Sequence, residues 1–172
     1  ALEEVRRDLL AADALLEQAE AALEAGDHAM ALELFSSLED GVLFDSPRLI
    51  ARMGSCYLAN GDINRVLNVS ASLLRRDASD AAAQLLRAEA QFQAIIAHID
   101  SDAWMQGAEA ASQSARQALA LDPDSRKAVQ LRRRLRRHVE VVQQVRTAVS
   151  DGDHTRAEEL LSELLGPAEL GN

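Results

Sequence analysis

Aromatic residues make up only 3% of the 172 residues, and cysteine occurs once. A lone cysteine, Cys56, excludes an intrachain disulfide and fits a reducing compartment. With three prolines in the chain, long stretches are free to be helical. Runs of β-branched residues are nearly missing, which argues against a sheet. No apolar stretch approaches the roughly 20 residues that a membrane-spanning helix needs, and no secretory leader is legible. The signatures of catalysis are missing too. No two histidines stand four apart, as a helical zinc site requires, and the glycines form no phosphate-cradling loop. No serine sits in a Gly-x-Ser-x-Gly elbow, and Cys56 has no histidine near it in sequence to activate it. The sequence therefore predicts no enzyme, no catalytic residue, no metal, no cofactor and no small-molecule substrate.

Leucine and alanine are abundant, and alanine is the best helix former. An all-helical chain of this length suits one domain with an adequate core. A formal charge of −10 argues against nucleic acid as a partner. The charge is unevenly spread. From Ser125 to Arg146 there are eight basic residues against Glu140 alone, so the rest of the chain carries −17.

One segment occurs twice. Gly26-Asp27-His28 returns 126 residues later as Gly152-Asp153-His154. The apolar ladder Val5, Leu9, Ala12, Leu16, Ala19, Leu23 maps onto Leu131, Leu135, His138, Val142, Val145, Val149. Behind the turns, Ala31, Leu34, Phe35 and Leu38 map onto Ala157, Leu160, Leu161 and Leu164. The steps of three and four keep each ladder on one helical face. Glycine can end each first helix in the left-handed conformation, and aspartate can cap the second. A repeated helix-turn-helix is the mark of a solenoid, and such arrays bind other proteins along an extended surface.

The spacing predicts helices over 2–25, 28–38, 126–150 and 154–165. Between them, Ile50, Met53, Gly54 and Tyr57 line one helix, Gly61-Asp62 turns the chain, and Val66, Val69 and Leu73 line the return. Gly54 marks a close helix crossing. A third unit opens at Asp80, an N-cap, with Leu85, Leu86, Ala88 and Phe92 facing inward. Its return helix ends at Leu121-Asp122-Pro123, and Asp122 lies 45 residues after Asp77. The tetratricopeptide period is 34, so about eleven residues are inserted near 95–105. They either lengthen both helices or form a loop, and Asp100, Ser101 and Asp102 favour a break. The organisation expected is a single array over 1–166, in units of about 11–45, 46–79, 80–124 and 126–166. A tail follows over 167–172. The array reads as cut from something longer at both ends.

These residues resemble the tetratricopeptide region of the J-domain (Hsp40) co-chaperones. The likeness rests on Met53-Gly54-x-x-Tyr57-x-x-x-Gly61-Asp62 and on Ala118-Leu119-x-Leu121-Asp122-Pro123. It rests also on the extended, arginine-rich helix that runs from there into Gly152-Asp153, which is similar to the family's helix between repeat blocks. The resemblance implies an all-α, right-handed superhelical solenoid with one extended linking helix. It implies a non-catalytic module that binds unfolded client protein or an Hsp70 or Hsp90 chaperone. The compartment implied is the cytoplasm, with the endoplasmic-reticulum lumen as the alternative. No histidine is followed by Pro-Asp, so the tripeptide of a J domain is not in this chain. The family's carboxylate clamp, which holds acidic chaperone tails, uses Lys and Asn on first helices. Those positions here hold Leu16 and Glu20, then Arg48, Arg52 and Ser55, then Ala82, Leu86 and Glu89. The paired asparagines are missing, and acids at Glu17, Glu20 and Glu24 would repel an acidic tail. A scaffold subunit that self-associates through the array ends is the alternative function.

By register, Arg48, Arg52, Ser55, Leu58, Glu89 and Phe92 are the expected groove residues. Trp104, Arg133, Arg134 and Arg137 are expected further contacts with a partner. Trp104 is a lone tryptophan, a residue type frequent at interface hot spots, though it can equally close the core. Around the arginines, the ladder at 131, 135, 138 and 142 turns most of them outward. His138 falls on that ladder and is expected buried and neutral. His28 and His154 are expected to pack at their turns and touch solvent, Cys56 to be a buried thiol, and Asp100 and Asp102 to be a solvated turn.

Overall fold

The computed structural model of the protein describes residues 2–39, 46–97 and 103–165. They form eight helices: α1 (Leu2–Glu24), α2 (His28–Glu39), α3 (Pro47–Ala59), α4 (Ile63–Arg76), α5 (Ala81–Ala97), α6 (Trp104–Leu121), α7 (Arg126–Ser150) and α8 (His154–Leu165). No strand occurs among the described residues. Each helix packs on the next in sequence, and α3 meets α5 as α5 meets α7. That pattern, neighbour on neighbour with first helices side by side, is a solenoid of antiparallel hairpins.

Three of the hairpins turn in one way. Gly26, Gly61 and Gly152 have φ of 81°, 74° and 76°, which side chains with a Cβ rarely adopt. The left-handed residue lets two amides reach back to orphan carbonyls. Asp27 N–H donates to Ala22 O and Gly26 N–H to Leu23 O, and the same pair recurs at Asp62 and Gly61 and at Asp153 and Gly152. Each aspartate then caps the second helix, accepting at Oδ1 from Met30, Arg65 or Arg156 at 3.0, 3.3 and 3.0 Å. Between hairpins, Asp80 Oδ1 accepts from Ala83 N–H and Ser125 Oγ from Ala128 N–H. Gly54 stands where the sequence requires closeness: an added Cβ would lie 2.6 Å from Leu86 Cδ2 and 3.0 Å from Val69 Cγ1.

Among the described residues the core comes in three clusters. Ala19, Ala31, Phe35 and Leu38 pack with Leu49, Met53 and Cys56 across α1, α2 and α3. Val66 packs with Leu86 and Ala90. The largest joins Phe92, Ile95 and Trp104 to Leu131, Leu135, Val142, Leu160 and Leu164. Here the inserted residues matter. α3 and α4 have 13 and 14 residues, whereas α5 and α6 have 17 and 18. Positions 95–97 extend α5 and Trp104 and Met105 open α6, so the described part of the insert lengthens both helices. Positions 98–102, with Asp100 and Asp102, lie outside the described residues.

Candidate protein-binding groove

The first helices α3, α5 and α7 lie side by side, and two hollows run along them. One, of about 390 Å³, is lined by Arg48, Ala51, Arg52 and Ser55 of α3 with Ala82 and Leu86 of α5. The second, of about 130 Å³, lies one turn further along both helices. Leu58 of α3, Glu89 and Phe92 of α5, and Leu131 and Arg134 of α7 line it. All six residues expected from register fall here: Arg48, Arg52 and Ser55 on the first hollow, Leu58, Glu89 and Phe92 on the second.

The charges at the first hollow are already engaged. Glu20 Oε1 on α1 lies 3.1 Å from Arg48 and 3.6 Å from Arg52. Asp80, on the same hollow, adds a second acid. Ser55 Oγ donates to Ala51 O. At the second hollow the guanidinium of Arg134 sits 5.3 Å over the Phe92 ring. Glu89 beside it is half-buried, and burial pushes its carboxyl above the ordinary carboxylate range. Lys127 and Arg134 pull against that shift. The floor is apolar, from Leu58, Phe92 and Leu131, and the acids and bases around it nearly cancel. The sequence did not point to Leu131, Gln93 and Ile96 as lining residues, although the ladder on α7 and the turn after Phe92 carry them there. Nor was the Glu20 pairing with both arginines visible, because it spans 28 positions to Arg48 and 32 to Arg52.

Trp104 corrects the sequence reading. It is 1% exposed, so its ring is no contact for a partner. It packs against His138 at 6.2 Å, and Arg146 covers it at 5.3 Å. His138, 4% exposed, also takes the Phe92 ring edge-on at 5.5 Å. Of the expected arginine contacts, Arg133 is exposed, Arg134 leans on Phe92, and Arg137 is 3.0 Å from Glu163. Cys56 is buried, and burial pushes its thiol up while Arg52 opposes the shift. His154 is exposed and His28 half-buried. Among the described residues no three His, Cys, Asp or Glu converge on a metal position, and no helix is long and apolar enough to cross a membrane.

No protein-family model matches the sequence, and no curated protein matches it. Solved structures do match. The Arabidopsis OM64 TPR domain is 17% identical, with a TM-score of 0.61 over 76% of this chain and 98% of that one. A thermophilic TPR protein of Thermus thermophilus is 16% identical, with a TM-score of 0.65 over 92% and 93%. The first TPR of Spaghetti (RPAP3), bound to the HSP90 peptide SRMEEVD, is 18% identical, with a TM-score of 0.59 over 75% and 93%. The fold is a tetratricopeptide-repeat helical solenoid.

Proposed function

We propose that the concave face of α3, α5 and α7 holds an extended polypeptide, without catalysis, as the client-binding repeat block of an Hsp40-type co-chaperone. The observation that carries this reading is the row of two hollows with an apolar floor and self-cancelling charge. A peptide held there gains from burying apolar side chains, about 25 cal/mol per Å², and finds little net charge to repel it. A related fold carries a peptide of HSP90, which supports peptide binding as the task of the groove. An acidic chaperone tail fits this chain less well, because it must first displace Glu20 from Arg48 and Arg52.

Calorimetric titration separates the two ligands. A permanently unfolded model polypeptide binds the native chain, and Leu58→Glu, which puts a charge on the floor, abolishes binding while helix content stays. A peptide ending in an acidic chaperone tail gives no heat with the native chain and gains binding on Glu20→Ala. Tight tail binding by the native chain would overturn the client reading. Silence from the unfolded polypeptide would do so as well.

A further inference from the structure

Helix α7 has an uncovered side along its whole length. At about 3.6 residues per turn, Arg132, Arg136, Glu140, Gln143 and Thr147 fall on one strip, round the helix from the buried ladder of Leu131, Leu135 and Val142. All five are exposed, as are Arg133, Gln144 and Asp151 beside them. The strip changes sign half-way. Its first half carries Arg132, Arg133 and Arg136, and its second carries Glu140 and Asp151. Arg136 is taken by Glu140 at 2.9 Å. Among the described residues Arg132 and Arg133 have no acidic partner. Beside the acidic half, between α7 and α8, lies a hollow of about 500 Å³. Gln144, Thr147, Asp151 and Asp153 wall it, over Ala148 and Leu160, together with Arg156, whose guanidinium is taken by Glu159 at 3.1 Å.

We propose that this strip pairs two copies of the chain, α7 against α7 in antiparallel register about a two-fold axis. A helix that is basic in one half and acidic in the other is complementary to itself only when reversed. That is the isologous arrangement of a symmetric dimer. Reversal sets Arg132 and Arg133 of one copy against Asp151 and the hollow of the other, twice. The hollow has room for long arginine side chains and acceptors to meet their guanidinium groups. Val129, 48% exposed on the same side, adds apolar contact. Two copies at −10 each repel at long range. At physiological ionic strength the Debye length is about 8 Å, so that repulsion is screened while paired side chains still attract. The strip faces away from the groove, so both grooves stay open in the dimer.

The test is light-scattering mass against concentration at physiological salt. The native chain is expected to rise from 18.6 kDa toward twice that mass. Arg132→Glu with Arg133→Glu stays monomeric, as does Gln144→Arg with Asp151→Arg, since like charges then face each other and weaken association by more than about tenfold. Mixing the two variants restores the dimer, because each supplies the charge that the other has lost. All four positions are exposed, and circular dichroism confirms that the variants fold. A native chain at 18.6 kDa throughout, or a dimer indifferent to both reversals, overturns the proposal. So does a native monomer that takes up an acidic peptide or RNA through Arg132 and Arg133 in place of a second copy.

Discussion

The hairpins α1–α2 and α7–α8 share a turn and a ladder, yet different elements cover the same face. On α1 that face is Ala12, Leu16 and Glu20. Helix α3 lies on it, with Leu49 and Met53 in the shared core and Arg48 and Arg52 on Glu20. On α7 the matching positions are His138, Val142 and Arg146. There the cover is the start of α6: Trp104 packs on His138 and lies under Arg146. Where α1 has a small Ala12, α7 has a ring that meets two others. A hairpin of this kind cannot leave its ladder open to water. One copy closes it with the next repeat, the other with four extra residues on each helix of the preceding pair.

That comparison breaks most sharply at Trp104. Trp104→Ala is expected to cost about 3–5 kcal/mol, read as a drop in the denaturation midpoint. A loss under about 1 kcal/mol would mean that the α7 face is held by something else. The turns should be equivalent where the covers are not. Gly26→Ala and Gly152→Ala each force a Cβ into the left-handed region and should each cost about 1–2 kcal/mol in the same assay. Unequal losses would break the equivalence of the two hairpins. The polar tops of the two faces weigh less. Glu20→Ala removes exposed ion pairs, worth about 0–1 kcal/mol, and Arg146→Ala removes a cation–π contact of about 0.5–1 kcal/mol.

The smallest effect is one of pH. Burial raises the Glu89 carboxyl above its ordinary 4.5, so the folded state binds the proton more tightly than the unfolded one. Its contribution is present below the unfolded value and is lost as pH rises through the folded one. Glu89→Gln should therefore raise the melting temperature at neutral pH and flatten its fall across the mildly acidic range. An unchanged pH profile would show that Glu89 titrates as a solvated carboxylate.

Much of the fold was legible because its punctuation is local. Gly26-Asp27, Gly61-Asp62 and Gly152-Asp153 each state a left-handed stop and a cap within two residues, and the ladders between them give the buried faces. The groove was legible by register, since Arg52, Ser55, Glu89 and Phe92 follow from helix phase alone. The charge balance of the groove was not. Glu20 reaches Arg48 and Arg52 across two helices, and nothing local encodes that meeting. Trp104 was misleading for a related reason. The insertion near 95–105 allows either longer helices or a loop, with Asp100 and Asp102 inside it favouring a break, and only the ladder of α7 that needs covering explains why the helices extend.

Polypeptide binding to the concave face of α3, α5 and α7 is the central claim. Backbone amide NMR of the chain titrated with a permanently unfolded polypeptide tests this directly. Shifts are expected to concentrate at positions 48–58, 82–96 and 127–134, with the outer strip of α7 unmoved. Shifts confined to that strip, or spread evenly over the eight helices, would contradict it.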